Sequence, residues 1–376
     1  MILHVFNPEH DIALASNLER FTAPHAARQL RHDLGFLPAL WAKCGEYVLV
    51  EDVDAAKEAL RKTGLFRNGI AISANVVDHA WLSGKLHINP DANLTIQPWG
   101  WDGSIRSCLE GFGVKEQYLP EKTKLDAIRQ MSHRAWAAEN LLMPLRNVIN
   151  GTVGESFKLH TLVELRDMLS ERGNVVLKAP WSSSGRGIRY VYGMSGNGSD
   201  INGALTTHLE GWFNNVLHRQ GCVMAEPYYD KVCDFGMEFE CKCDGQISYR
   251  GLSLFSTSNG AYTGNILDDE EHKEALLCRY ISGAKLQSIR EKVKGLLSQA
   301  FQGKYSGFFG IDMMVVRNCD GTLAIHPCVE LNLRMTMGHV ANLLANKYEL
   351  EDKVMRIAYS CGGYRLKIES HEAEGQ

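Results

Sequence analysis

The chain has no marked excess of either charge. Its 40 basic and 44 acidic residues leave a net charge of −4, so it lacks the basic footprint that nucleic acid or an anionic membrane surface would select. No apolar run approaches the roughly 18 residues of a spanning helix. The start, Met1-Ile2-Leu3-His4-Val5-Phe6, lacks the basic head and long apolar core of a secretory signal. A cytoplasmic location is therefore expected, and the Asn-x-Ser/Thr tripeptides at Asn93, Asn150 and Asn197 carry no meaning as glycan acceptors. The ten cysteines include no CxxC pair, which disfavours a zinc cluster or a disulfide framework and suits reduced thiols. Neither a Walker P-loop nor a GxGxxG fingerprint occurs anywhere, removing those two nucleotide-binding classes. With 45% hydrophobic and 22% charged residues over 376 positions, the composition is that of a soluble globular protein of two or three subdomains.

What is present is concentrated near the C-terminal third. Val329-Glu330-Leu331-Asn332-Leu333-Arg334 places a carboxylate, an amide and a guanidinium at alternate positions of a strand, hence on one face. Oxygen donors beside a fixed cation suit a hard metal and a polyphosphate. Upstream, the apolar run Gly307 to Val316 carries Asp312, and Thr322 to His326 reads as its return. Asn318-Cys319-Asp320-Gly321 between them is a hairpin signal. A two-residue Asp-Gly loop would set Asp312 opposite Val329, and one extra loop residue or a bulge moves its partner to Glu330. A slip of one flips the face, so a site with two carboxylates requires that irregularity. A lone buried Asp312 would be costly, and two facing carboxylates repel unless a cation lies between them.

The first 120 residues read as a small α/β unit with strands at Ile2 to Phe6, Tyr47 to Val50 and Leu94 to Gln97. The first strand runs into Asn7-Pro8-Glu9-His10-Asp11, a cluster that suits substrate binding and equally a helix cap. The loop Pro98 to Gly103 shows two exposed-looking tryptophans, Trp99 and Trp101. A second unit starts near Lys122 with a helix through Leu142, closed by Pro144. Thr161-Leu162-Val163-Glu164 is a capping box. Ile201, Leu205, Leu209 and Trp212 to Leu217 mark an amphipathic helix, and Lys285 to Gln302 another. Helices are expected again around Gly338 to Ser360, then a polar tail over 369–376.

Three further pieces bear on chemistry. Lys178 ends the strand Val175-Val176-Leu177 and precedes the loop Trp181-Ser182-Ser183-Ser184-Gly185-Arg186-Gly187. Alone this is a surface loop. Beside the acidic hairpin it reads as a phosphate cover, with hydroxyls and bare N–H groups around oxygens and the lysine as a point charge. Glu226-Pro227-Tyr228 leaves a strand in an extended path that can read an adenine edge, and Asp234 lies where it can accept ribose hydroxyls. His10, Arg250, Tyr262 and His339 are further polar groups that a substrate could meet.

Taken in order, these pieces resemble the ATP-grasp superfamily over roughly residues 120 to 350. Val175 to Pro180 followed by Ser184-Gly185-Arg186-Gly187-Ile188 is similar to the family's lysine strand and glycine-rich lid loop. Met224 to Tyr228 resembles its adenine hinge. Asp312, Glu330 and Asn332 match its magnesium set, and Arg334 completes Glu-x-Asn-x-Arg, as in biotin carboxylase-like members. Ser132-His133-Arg134 falls where the family carries its first nucleotide-binding lysine, here an arginine, and Pro227 departs from the usual hinge residue.

The resemblance implies an α/β (α+β) ATP-grasp fold. An N-terminal pre-grasp domain would span 1–120 and an ATP-grasp domain 121–368, with a lid over about 150–225. It implies an ATP-dependent ligase that uses Mg2+, with Mn2+ as an alternative, and activates a small-molecule carboxylate for an amine or thiol. Nucleotide contacts would fall to Arg134, Lys178, Ser183, Ser184, Gly185, Gly187, Glu226, Pro227, Tyr228 and Asp234. Metal contacts would fall to Asp312, Glu330 and Asn332, with Arg334 and Lys178 in catalysis. A kinase on the same scaffold and a non-catalytic nucleotide sensor are the alternatives. No nucleic-acid or membrane partner is implied, and a homodimer is one oligomeric option.

Overall fold

A computed structural model describes residues 1–65, 74–88, 93–182, 187–193, 205–258 and 261–371. It is an α/β protein with three sheets among those residues.

The first sheet is parallel: β1 (Ile2–Val5), β2 (Tyr47–Leu49), β3 (Asn75–Val77) and β4 (Thr95–Pro98), in the order β3-β2-β1-β4. Parallel neighbours need crossovers, and helices His25–Leu34, Val53–Lys62 and His79–Ile88 lie along them. Asp52 starts the second of these by accepting from the N–H groups of Asp54 and Ala55, both at 2.9 Å. β3 lies outside the expected strands, being only three residues of Asn-Val-Val with no alternation to announce it. The two tryptophans after β4 are not exposed. Trp99 is buried edge-on against Phe6, with centroids 5.0 Å apart, and Trp101 is half-buried.

The second sheet is antiparallel: β5 (Phe157–Leu159), β6 (Val175–Lys178), β7 (Ile188–Val191) and β8 (Val223–Pro227), in the order β5-β8-β6-β7. The capping box at Thr161 and Glu164 is present and opens helix Leu162–Arg172, which buries Leu165, Met168 and Leu169. The helix expected after Ile201 runs over Thr207–Gln220.

The third sheet holds the main core. It comprises β9 (Asp230–Cys241), β10 (Ile247–Ser258), β11 (Ala261–Leu267), β12 (Gly307–Arg317), β13 (Leu323–Asn332), β14 (Lys353–Ser360) and β15 (Gly363–Ser370). Its order is β13-β12-β9-β10-β11-β14-β15, antiparallel throughout. Helix Gly283–Phe301 presents Leu286, Ile289, Val293, Leu297 and Phe301 to one side of it, against Phe239 and Phe309.

Two expectations about helices need correction. Lys122 to Leu142 is not one helix. Segments Lys122–Met131 and Arg134–Ala137 pass through a wide turn, Ala138–Leu142, into Met143–Val148. Pro144 follows the wide turn directly, where the interrupted hydrogen-bond ladder accommodates its missing N–H, so the helical path continues through it to Val148 instead of closing. At the C-terminus only Met337–Tyr348 is helical. Glu349 and Asp352 take left-handed backbone angles that end it, and the chain returns as β14 and β15. Cys361-Gly362, both at positive φ, form a two-residue turn between Ser360 and Gly363. The expected polar tail is therefore shortened: Glu369 and Ser370 belong to β15, and 372–376 lie outside the described residues.

Candidate active site

The β12–β13 hairpin sets the acidic residues. Its loop is one residue longer than Asp-Gly alone, since the Asn318 N–H donates to Thr322 O at 2.8 Å. That loop pairs Met314 with His326, and continued without interruption it would bring Asp312 opposite Cys328. Instead the register shifts between Asp312 and Met314, where β13 carries two extra residues, and Asp312 pairs with Glu330. The irregularity demanded by two facing carboxylates is present. Its sequence signal is Pro327, which cannot donate to a ladder and marks a bulge inside a strand. Gly310 pairs with Asn332, so Asp312, Glu330 and Asn332 share one face.

On that face the polar groups form a chain. Asn332 Nδ2 donates to Asp312 Oδ2 at 3.1 Å, and Arg334 Nη2 donates to Asn332 Oδ1 at 2.9 Å. Arg334 Nε donates in turn to Asp11 Oδ2 at 2.9 Å, reaching the helix His10–Ser16 that follows β1. Arg134 Nη2 donates to Glu330 Oε1 at 2.9 Å, and its Nε to Ala179 O at 3.1 Å. It therefore ties the segment after β6 to the acidic hairpin. Glu330 is half-exposed, whereas Asn332 and Arg134 are buried.

Burial pushes the Asp312 carboxyl up to about 8, with Glu330 and Glu238 adding repulsion, while the Asn332 amide and Arg334 oppose the rise. Arg334 holds the Asp11 carboxyl below its usual range against the cost of burial. Glu238, on β9 opposite Gly310, is a buried carboxylate on the same face that sequence reasoning missed. Its Oε2 lies 2.9 Å from His339 Nδ1 without a hydrogen-bonding angle. A β-carbon at Gly338 would sit 2.0 Å from its other oxygen, so only glycine fits there. Glu238 stands in a strand of alternating character, and no local pattern separates it from a surface glutamate.

The lysine strand brings a second pair. Lys178 Nζ donates to Glu226 Oε2 at 2.5 Å, both buried on one face of β6 and β8. Cys328 on β13 is buried. Burial raises its thiol, and Glu226, Asp312, Lys178 and Glu330 all act on it. Pro227 ends β8, and Tyr228 is exposed with its N–H on Asn174 O at 3.0 Å. Asp234 Oδ2 accepts from Lys231 Nζ at 2.5 Å and Thr257 Oγ1 at 2.6 Å. Gly187 O accepts from the Ala179 N–H at 2.8 Å. Ser183, Ser184 and Gly185 lie outside the described residues. Of the other polar candidates, Tyr262 and His339 are spent on internal hydrogen bonds. Arg250 pairs with Glu240 at the surface.

Among the described residues no three His, Cys, Asp or Glu side chains converge as a metal cluster; the donor set is two carboxylates and one amide. No protein-family model matches the chain, and no curated protein sequence matches it. Among solved structures the chain is similar to N5-carboxyaminoimidazole synthetase from Staphylococcus aureus complexed with ADP. The identity is 11% and the TM-score 0.48, covering 95% of this chain and 82% of that one. It is similar to biotin carboxylase from Campylobacter jejuni at 14% identity and TM-score 0.47, covering 97% and 73%. The biotin carboxylase domain of Hydrogenobacter thermophilus 2-oxoglutarate carboxylase, with MgADP and bicarbonate, matches at 16% identity and TM-score 0.47, covering 97% and 72%.

Proposed function

We propose that the chain is an ATP- and Mg2+-dependent ligase of the ATP-grasp type, which activates a small-molecule carboxylate for an amine or thiol. The observation that carries the reading is the bulged pairing of Asp312 with Glu330, with Asn332 bonded to the first. Two carboxylates forced together, one driven toward its neutral form, suit a site that gains from a divalent cation. The donors fit: hard oxygens, no thiolate or imidazole, and guanidinium groups on Glu330 and Asn332 that complement charge in the ligand-free chain. Mg2+, or Mn2+ in its place, would be held by Asp312, Glu330 and Asn332, and supplies charge neutralisation at phosphate oxygens.

The chain's own groups do the remaining work. Lys178 and Arg134 offer cationic donors to phosphate oxygens, and Arg334 stands beside the metal set to steady the transferring group. Glu226, Pro227 and Tyr228 offer the hinge edge to a base, and Asp234 faces the ribose. The segment through Ser183, Ser184, Gly185 and Gly187 would cover the phosphates and exclude water. In this reading residues 1–120 form the pre-grasp domain, 121–368 the grasp domain and about 150–225 its lid. The protein works in the cytoplasm, on small molecules. A substrate carboxylate oxygen attacks the γ-phosphorus and ADP leaves; the nucleophile then displaces phosphate from the acyl phosphate.

The test is a screen of small acids, alone and paired with amines or thiols, for Mg2+-dependent ADP release. A ligase releases inorganic phosphate only with the second substrate present. A phosphorylated hydroxyl as final product would replace the reading with a kinase, and nucleotide binding without turnover on any pair would leave a sensor.

A further inference from the structure

The seven-stranded sheet ends at β15, which pairs with β14 on one side and, among the described residues, with no strand on the other. Backbone groups alternate in direction along a strand, so every second N–H and C=O of an edge strand points out of the sheet. Two contacts fix which residues these are. The Tyr364 N–H points outward and donates to Asp33 Oδ2 at 2.8 Å. The His371 N–H, just past the other end, points inward and donates to Asp352 O at 3.0 Å. Parity then turns Leu366 and Ile368 outward with Tyr364, and among the described residues no hydrogen bond reaches their outward N–H groups.

A cavity of about 670 Å³ lies against this edge, and the five successive residues Gly363 to Lys367 all line it. Side chains alternate between faces, so a cavity that meets every residue of such a run follows the edge of the strand, not one face. Its other wall is the helix Val53–Lys62, which presents Ala55, Glu58, Ala59 and Lys62 to it as one stripe. A slot between an open strand edge and a helix suits an extended peptide that adds a strand to the sheet. A second copy's β15 would bring β14 with it toward the helix wall, so a single segment suits the slot better than a hairpin.

The charges around the slot select its occupant. Glu58 is paired with Arg61 and Lys62, and Asp33 accepts from Gln29 and Tyr364. Glu369 lies 3.9 Å from Arg356. Arg365 and Lys367 share one face of β15, are exposed, and have no ionic partner among the described residues. On the other face Tyr364, Leu366 and Ile368 belong to the apolar cluster that includes Leu30 and Leu34. A strand laid on this edge therefore meets two free cations on one face and an apolar cluster on the other.

We propose that the β15 edge binds an extended acidic segment of a partner protein, with carboxylates opposite Arg365 and Lys367 and apolar side chains between them. The segment's backbone accepts from the N–H groups of Leu366 and Ile368 and donates to their C=O groups. The groove shares no residue with the acidic hairpin, and it is independent of the ligase reading.

The test titrates the full chain into a fluorescein-labelled Val-Glu-Val-Glu-Val-Glu-Val peptide, with its lysine counterpart and a backbone N-methylated acidic form as controls. Anisotropy should show the acidic peptide binding about tenfold or more tightly than the lysine peptide. N-methylation removes backbone donors and should abolish binding, and Arg365→Glu combined with Lys367→Glu should reverse the charge preference. No binding of the acidic peptide at up to about 1 mM, equal binding of both charges, or full binding of the N-methylated form would overturn the proposal. Hydrogen exchange of the wild type decides without any variant. Bound acidic peptide should slow exchange at Leu366 and Ile368 and leave Arg365 and Lys367, whose N–H groups face β14, unchanged; protection elsewhere alone rejects the site. A wild-type dimer that the double variant converts to monomer in sedimentation velocity would assign the edge to a second copy and likewise reject it.

Discussion

Two ionic clusters of this molecule are built on opposite terms. On β6 and β8, Lys178 and Glu226 meet at 2.5 Å and complete one another. On β12 and β13, Asp312 and Glu330 are set face to face by a bulge, with Glu238 behind them, and burial drives Asp312 up to about 8. A complete pair is satisfied within the folded chain itself. A like-charged pair is tolerated only where a cation or guanidinium groups answer it. Such strain is the observation that supports the proposed metal site on the β12–β13 face.

The comparison can be broken most directly at the acidic pair. Asp312→Asn and Glu330→Gln should each lower ADP formation by more than about a hundredfold while circular dichroism shows the fold intact; near-normal turnover in either would remove the metal assignment. At the complete pair the effect should extend to stability. Lys178→Met leaves Glu226 buried alone and should cost about 3–5 kcal/mol of stability, measured by denaturant unfolding, and adding Glu226→Gln should recover most of it.

The pH response separates the clusters further. Asp312 has a folded value of about 8 against 3.8 for the ordinary group, so folding takes up a proton between those limits. Its contribution to metal-free stability is full below about pH 4 and is lost as pH rises through about 8. Melting curves should show that decline, Asp312→Asn should flatten it, and stabilisation by Mg2+ should grow over the same interval. The smallest effect is expected at Arg134. Arg134→Gln breaks bonds of a buried guanidinium to Glu330 and Ala179 O and should destabilise the metal-free chain by about 1–3 kcal/mol, and by less at saturating Mg2+, because a second cation then answers Glu330.

Local signals along the chain decide some of these elements outright. Strand parity alone required an irregularity before Asp312 could face Glu330, and the structure has it at Pro327 to Val329. The capping box at Thr161 is equally local and is present. The reading failed where long-range pairing decides. Lys353 to Ser360 reads as helical in sequence, yet it completes the open edge of β11, pairing Met355 with Asn265. The turn that returns it uses Cys361 at a left-handed position, where asparagine or aspartate would have announced a hairpin.

By itself the amino-acid order determined the alternation that puts Glu330 and Asn332 on one face, the lysine at the end of β6 and the absence of rival nucleotide motifs, because these depend on covalent spacing and side-chain period. Only the tertiary structure decided that Arg334 reaches Asp11, that Glu238 stands behind Asp312, and that Asn7 and His10 close on Asp102. Those contacts join chain segments up to 323 residues apart. They exist because burial brings distant polar groups into a low-dielectric interior, where each must find a partner.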